Sequence, residues 1–459
     1  MGPLDDTIAA VATAPGEGGI AVVRVSGSEA GAVASRLLRG GGGEPVALQA
    51  RGVAFARVRE PGSERTVDEV LALWMPGPAS YTREDVLEIQ CHGGQIAGRR
   101  ILELVLGEGV RIAEPGEFTL RAYLRGRIDL VQAEAVLDTI QAQTAEALEV
   151  HEELLGGRLS QEVARWQQVL GRVLARVEAE LDFAEEELGE WAPEEVLGEL
   201  EDVAAAMGEK LGTYAWGRTS REGFRVALLG SPNAGKSSLL NCLAEDDHAI
   251  VSPIAGTTRD AMEVRVNAGG VPVRLVDTAG LRSPGDPIEE EGVRRARKAA
   301  AESDLIVLLC DGGRELSEGE VGETRSLMAG GKVLPVVSKV DLGRRPEAAL
   351  AALFGTVPLG VSVLTGEGVA EVLGALREAA WGSGGPGIGG ALTRQRHRTA
   401  VQSALSCVTE AMDGLRKGIF VEVVASRLHE ARRRLSGLLG WGTPEDVLEA
   451  IFSEFCIGK

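Results

Sequence analysis

The chain has 459 residues, with 48 Lys+Arg against 68 Asp+Glu, a formal net charge of −20, and 61 glycines against 6 Trp, 3 Tyr and 8 Phe. At roughly 150 residues per domain this predicts about three domains, and a hydrophobic fraction of 44% argues against wholesale disorder. Nucleic-acid affinity comes mostly from neutralised phosphates, so so anionic a chain needs local basic patches or a partner for any such role.

The opening residues MGPLDDTIAA are acidic where a secretory signal is basic, and Asp6 stands where a myristoylation motif has Ser or Thr, so neither address is expected. The longest apolar run, 305–310, is far too short for a membrane span. Cys91, Cys242, Cys310, Cys407 and Cys456 are scattered with no C-x-x-C, which predicts a reducing cytoplasmic setting without a disulfide framework. The five histidines are equally dispersed and suggest no His/Cys metal site.

Residues 1–119 read as mixed α/β, with β-rich runs at 20–25, 70–74 and 86–90 and a helical pattern at 101–106. From 120 to 220 Ala, Leu, Glu, Gln and Arg dominate and long helices are predicted, with apolar residues at helical spacing such as Leu130, Ala133, Leu137 and Ile140. Twelve acidic residues and no basic one lie between Glu178 and Asp202, a solvated face. Strand and helix patterns then alternate over 221–380, a doubly wound α/β domain, and GSGGPGIGG at 382–390 marks a linker. Residues 381–459 return to helical composition. The overall expectation is a multidomain α/β plus all-α chain, with the α/β domain inserted into one helical domain whose two parts bury their faces against each other.

Gly230-Ser231-Pro232-Asn233-Ala234-Gly235-Lys236-Ser237 is G-x-x-x-x-G-K-S, set between the strand RVALL and the apolar helix SSLLNCLA, as a phosphate-binding loop requires. Its backbone N–H groups and the following helix N-terminus, with Ser238, cradle phosphates. Lys236 reaches the β/γ-phosphates and Ser237 suits Mg2+. Thr257-Thr258 follow at a switch position, with Thr258 able to complete the Mg2+ shell. Asp277-Thr278-Ala279-Gly280 ends the strand VRLVD, bringing a carboxylate near the metal and a glycine amide near the γ-phosphate. Ser338-Lys339-Val340-Asp341 ends VLPVVS, and Asp341 can accept from guanine N1–H and the 2-amino group, which adenine does not present. The order of parts is that of a Ras-like GTPase.

Three departures bear on this. Ser338 replaces the Asn of the usual N-K-x-D, and is too short to duplicate an amide's contacts. The following loop is Ser362-Val363-Leu364, with valine for the alanine of S-A-x. Leu281 stands where Ras-like proteins have a water-positioning Gln, so another polar group must orient water. Arg282 and the run Glu289-Glu290-Glu291 are candidates, although three glutamates also suit a helix N-terminus.

The segments DTIAAVATAPGEGGIAVVRVSG, PGPASYTREDVLEIQCHGG and EPGEFTLRAYLRGRIDLVQAEA and the terminal FCIGK, together with the nucleotide motifs, resemble the MnmE (TrmE) family of bacterial tRNA-modification GTPases along the whole length. The resemblance implies an N-terminal domain that dimerises and binds a one-carbon tetrahydrofolate (5-formyl- or 5,10-methylene-), and a GTPase domain within a helical one. It implies a homodimer that joins an FAD-dependent partner, MnmG (GidA), in a heterotetramer, and that places an aminomethyl or carboxymethylaminomethyl group on C5 of the wobble uridine of certain tRNAs. It also implies K+-dependent pairing of the GTPase domains, which activates hydrolysis.

By the same resemblance, Asn233 matches a K+-ligating residue, and Ser252, Ile254 and Thr257, within Ser252-Pro253-Ile254-Ala255-Gly256-Thr257-Thr258, match the loop that completes K+ coordination. Such an ion adds positive charge beside the β/γ bridge, much as an arginine finger does. Glu289 falls at the family's water-orienting Glu, with Glu290 its nearest rival. Arg24, Glu88, Arg127 and Lys459 match folate-contacting positions, Arg127 standing where Lys is common. Cys456 matches a residue needed for modification and not for GTP hydrolysis. A second reading is a translation- or ribosome-associated GTPase switch, and a third a scaffold with a degenerate GTPase site. Arg121-Arg125-Arg127, Arg394-Arg396-Arg398 and Arg432-Arg433-Arg434 are candidate RNA contacts or ordinary helix-surface patches.

Overall fold

The computed structural model describes residues 5–46, 48, 50–63, 65–182, 193–245, 262–277, 298–382 and 389–459. Residues 183–192 of the acidic stretch and 383–388 of the linker lie outside them. The chain divides into two compact units, 1–137 with 436–459, and 138–435. Those divisions fall elsewhere than the composition changes at 119 and 381, because the helices Glu117–Leu124 and Glu445–Ser453 bury their apolar faces with each other.

The first unit is built on a seven-stranded sheet of order β3-β4-β5-β6-β2-β1-β7. Its strands are β1 (Ile8–Val11), β2 (Ile20–Ser26), β3 (Leu38–Arg39), β4 (Gly52–Arg59), β5 (Thr66–Met75), β6 (Val86–His92) and β7 (Arg111–Ile112). All neighbours are antiparallel except β1 and β7. The helices Ala30–Leu37 and Gln95–Gly107 cover one face, burying Val33, Leu37, Ile101 and Val105 on Val23, Val25 and Ile89. On the other face Phe55, paired with Leu71 in register, is 58% exposed, and Val53 and Leu71 are exposed beside it.

At its far end this unit contains Leu120, Leu130, Ala133 and Leu137, packed with Leu448, Phe452 and Phe455. The Phe452 and Phe455 rings lie 5.5 Å apart. Gly116 permits this approach: its φ is +69°, and a Cβ there would stand 2.7 Å from the Phe452 carbonyl oxygen.

The second unit contains the sheet β13-β12-β11-β8-β10-β9, with β8 (Phe224–Gly230), β9 (Met262–Ala268), β10 (Val271–Asp277), β11 (Leu305–Asp311), β12 (Val333–Ser338) and β13 (Leu359–Val361). Only the edge strand β9 is antiparallel to its neighbour. The near-continuous apolar runs of β8 and β11 are those of parallel strands buried on both faces. One face packs on Leu239, Leu240 and Leu243 of the helix Lys236–Glu245 and on Val372 and Leu376 of Val369–Trp381. The other packs on Leu350.

The unit also contains the helices Ala145–Leu155, Arg158–Asp182, Pro193–Gly212, Tyr214–Glu222 and, beyond the insertion, Gln395–Arg416 and Val421–Leu438; of these Ala145–Leu155 and Tyr214–Glu222 pack on β10. The two sides of the insertion do bury against each other: Pro193–Gly212 packs on Gln395–Arg416. Lys210 Nζ donates to the Gly389 carbonyl at 2.6 Å, and Tyr214 OH to Gln395 Oε1 at 2.9 Å. Where the chain enters the sheet, Asp304 accepts from Arg218 and from the Arg225 N–H.

Candidate functional site

Two groups of residues singled out by sequence are assembled, one in each unit. In the second unit β8 runs into the phosphate loop, and β11 lies beside it with Leu309 opposite Gly230. A Cβ on Gly230, whose φ is +144°, would stand 2.2 Å from the Leu309 carbonyl oxygen, so the loop can leave the sheet here only with glycine. Asn233 has φ +65°, a left-handed conformation asparagine tolerates, and its side chain is exposed. Lys236 is buried, and its ammonium donates to the carbonyls of Gly230 and Ser231, each at 2.8 Å. Ser237 and Ser238 are exposed at the start of the helix Lys236–Glu245, where the helix dipole and N-terminal N–H groups favour phosphate.

The base-reading segment meets this loop directly. Ser338, at the end of β12, is buried and donates to the Ala234 carbonyl at 2.6 Å, with the Cys310 carbonyl at 3.2 Å. Thus a serine, though shorter than asparagine, still spans from the strand end to the phosphate loop. Lys339, with φ +53°, forms an ion pair with Asp311 at 2.7 Å. Burial would raise the Asp311 carboxyl, but the hydrogen bonds from Lys339 and the Gly313 N–H, with the charges of Lys339 and Arg314, together outweigh it and hold the carboxyl below its usual range. The Ser362 hydroxyl, fully buried, donates to Asp341 Oδ1 at 2.6 Å and so orients the carboxylate. Val340 N–H bonds the Val361 carbonyl, while Val363 and Leu364 are exposed.

Asp277 ends β10 opposite Leu228. Ser252, Pro253, Ile254, Ala255, Gly256, Thr257 and Thr258, then Thr278, Ala279, Gly280, Leu281 and Arg282, and Glu289, Glu290 and Glu291, lie outside the described residues.

In the first unit, Arg24 on β2 and Glu88 on β6 are direct cross-strand partners, with Nε and Oε1 2.8 Å apart. Arg24 Nη1 also donates to the Gly458 carbonyl at 2.9 Å, and its guanidinium lies 5.6 Å from the Phe118 ring centre. Gly458 has φ +95°, and a Cβ there would stand 2.6 Å from the Val11 carbonyl oxygen, so only glycine lets the C-terminal segment lie against β1. Burial, and then the Arg24 charge, lower the Lys459 ammonium below its usual range, with Glu88 and Cys456 opposing. The Arg127 guanidinium lies 4.7 Å from the Tyr81 ring centre. Burial raises the Tyr81 hydroxyl, opposed by its bond to Thr119 and the charges of Arg127 and Arg24. Arg24, Glu88 and Lys459 therefore converge with Cys456 exposed beside them, and Arg127 is joined to them through Tyr81, which feels the charges of both Arg127 and Arg24. With three cationic side chains to one carboxylate, and one cation desolvated, the cluster suits an anionic ligand.

The basic clusters are largely committed elsewhere. Arg121 is fully buried, bound to Asp6, Glu84 and Glu117, and Arg125 also bonds Glu84. Arg394 pairs with buried Asp138 at 2.6 Å, Arg398 lies over Tyr214, and Arg433 and Arg434 share Glu430. Sequence reasoning missed Arg314, whose guanidinium donates to the Ser231 hydroxyl of the phosphate loop at 2.6 Å. The signal available was S-x-x-E at 317–320, the helix start that seats Arg314. Among the described residues no cluster of three His, Cys, Asp or Glu is placed to hold a metal, and no helix is long and apolar enough to cross a membrane.

Two family models cover most of the chain. Residues 130–456 match the model of the MnmE helical domain, and 7–127 that of the GTP-binding protein TrmE N-terminus. The tRNA modification GTPase MnmE of Geobacter sulfurreducens is 41% identical over 99% of this chain and 100% of its own. That of Symbiobacterium thermophilum is 43% identical, again over 99% of this chain and 100% of its own. Among solved structures, the G domain of the T. maritima FeoB iron transporter is 25% identical over 34% of this chain and 98% of its own, with a TM-score of 0.27.

Proposed function

From the premise that the chain belongs to the MnmE family of tRNA-modification GTPases, we propose that it couples GTP hydrolysis to a folate-dependent modification at C5 of the wobble uridine of certain tRNAs, in the cytoplasm. The observation that carries this reading is the convergence of Arg24, Glu88 and Lys459 beside Cys456, with Arg127 joined through Tyr81, in a unit separate from the phosphate loop. A folate bound there would need cations for its glutamate tail, which Arg127 and Lys459 would supply, and an acceptor for its pterin N–H groups, which Glu88 would supply. A one-carbon tetrahydrofolate held there supplies the carbon added to uridine. Cys456 is exposed at its margin as a nucleophile or proton donor.

GTP is held by the loop 230–237, with Asp341, oriented by Ser362, selecting guanine. Ser237 and Thr258 would hold Mg2+, and Asn233, Ser252, Ile254 and Thr257 K+, which supplies positive charge beside the β/γ bridge. Glu289 then orients the attacking water. The exposed apolar face of Val53, Phe55 and Leu71 supports self-association through the first unit as a homodimer. The heavy pairing of the arginine clusters, with the charge of −20, supports tRNA capture in an assembly with an FAD-dependent MnmG-type partner that contributes electropositive surface.

The test is nucleoside analysis of tRNA from cells lacking this chain. Loss of an aminomethyl-type wobble uridine, restored by the intact gene, is the expected result, and an unchanged profile would overturn the reading. A ribosome-associated switch would instead leave the nucleosides intact and alter subunit assembly.

A further inference from the structure

We propose that Arg314 is a positioning residue for GTP binding, acting on the phosphate loop through the hydroxyl of Ser231. Ser231 is where that loop takes its shape. Its carbonyl accepts from the Ala234 N–H at 3.2 Å and from the Lys236 ammonium at 2.8 Å, closing the turn and seating the lysine. Its hydroxyl accepts from Arg314 Nη2 at 2.6 Å, a bond from a residue 83 positions later.

Arg314 reaches this point because β11 lies beside β8 and its end, Asp311, opens into the turn Gly312-Gly313 just past the loop. The guanidinium is not free to wander. It forms a forked pair with Glu320, with Nη1 to Oε2 at 2.9 Å. Glu320 is itself held, accepting from the Ser317 N–H at 2.9 Å as one half of a capping box at the start of the helix Glu318–Gly330. A helix end thus fixes a carboxylate, the carboxylate fixes a guanidinium, and the guanidinium fixes the serine on which Lys236 rests. The Arg314 charge is neutralised by Glu320, so its contribution to nucleotide binding is the placement of Ser231 and not attraction to phosphate. A planar fork can serve a carboxylate and a hydroxyl together, whereas an ammonium at the end of a lysine cannot hold that geometry.

The experiment titrates fluorescent GDP and GTP analogues against the full chain and its variants. Arg314→Ala and Ser231→Ala are each expected to weaken both nucleotides by about tenfold, the scale of one hydrogen bond to a charged group. Because they remove one interaction, the double variant should be no more than about twofold weaker than either single one. Arg314→Lys should recover only part of the loss, and adding Glu320→Gln to Arg314→Ala should recover none. In steady-state hydrolysis the effect should fall on KM more than on kcat. Fully additive losses would overturn the proposal, as would affinities within about twofold of the parent. Restoration by Glu320→Gln would mean that charge alone is felt. Should Arg314→Ala fail to fold, Ser231→Ala decides, since it leaves the capping box and the ion pair intact.

Discussion

The Ser338 hydroxyl donates to the Ala234 carbonyl across 2.6 Å, joining the end of the base-reading strand to the phosphate loop 104 residues earlier. The strand end and the loop are therefore tied by a short bond in addition to the sheet pairing of β8, β11 and β12. Ser338→Ala leaves a buried carbonyl without this donor, a loss of about 1–3 kcal/mol, and should weaken GTP binding by about tenfold. Ser338→Asn should tighten it and raise the preference for GTP over ATP. Equal GTP and ATP affinities in the parent protein would remove the guanine assignment altogether.

The folate assignment makes Arg24 the most sensitive residue of the first unit, since one guanidinium serves both Glu88 and the Gly458 carbonyl. Arg24→Lys keeps the charge and loses the fork, and should weaken 5-formyl-tetrahydrofolate binding by at least about tenfold in calorimetric titration. Cys456→Ser should retain GTP hydrolysis and abolish tRNA modification, in keeping with its exposure; loss of both would make the cysteine structural.

Arg121 should be the costliest surface-type residue to remove, because it is wholly buried among Asp6, Glu84 and Glu117. Arg121→Met leaves Asp6 and Glu117 with Arg111 alone and Glu84 with Arg125 alone, and should cost about 3 kcal/mol in denaturant unfolding. Burial raises the Asp6 and Glu117 carboxyls, but hydrogen bonds from Arg111 and Arg121 outweigh it and leave both below their usual values. Such groups stabilise the fold above the unfolded carboxylate range, and the contribution is lost as pH falls below it. The parent should therefore lose stability steeply below about pH 4, and Arg121→Met somewhat less steeply, because Arg111 still serves both carboxyls.

Potassium and Glu289 give a kinetic test. Hydrolysis should be stimulated by K+ over Na+, and rise with protein concentration. Glu289→Ala should abolish the K+-stimulated rate, and Glu290→Ala should not; the reverse result would shift the water-orienting role by one residue.

His151 is buried, with its imidazole on the Ser220 backbone and the charges of Arg394 and Arg221 nearby; burial first, and then those charges, lower it to about 4. Its folded pKa lies below the unfolded value, so stability is full above about pH 6.5 and declines as pH falls toward 4. The contribution at stake is about 3 kcal/mol. Chemical unfolding followed between pH 7 and 4.5 should show this slope in the parent, and a flatter one in His151→Asn.

What could be read in advance follows from range. The phosphate loop was legible because its glycines and lysine are contiguous and flanked by an apolar strand and helix. The apolar runs that became β8, β11 and β12 were legible because both their faces are buried. The short β1 and β7 were not, since four and two residues carry no periodicity. The helix Glu117–Leu124 joins the first unit through Phe118 on Ile8 and Ala10, Arg121 on Asp6 and Glu84, and Leu120 beside Phe452 and Phe455, partners that lie far off in sequence. No local pattern announces that Arg314 meets Ser231, or that Arg24 meets Gly458: neighbouring strands bring the first pair together, and the C-terminal segment past the helix Glu445–Ser453 brings the second. Family resemblance supplied Arg24 and Lys459, whereas Arg314 came from the structure alone.

The bond from Arg24 to Gly458 has a consequence for biosynthesis. Its partners are 434 residues apart, so the anion cluster stays open while the ribosome makes everything between them, although the sheet carrying Arg24 can form early. A transcript damaged late in its length would yield a chain with an intact phosphate loop and no finished cluster. Such a product would keep the phosphate loop and lack the contact of Arg24 with Gly458.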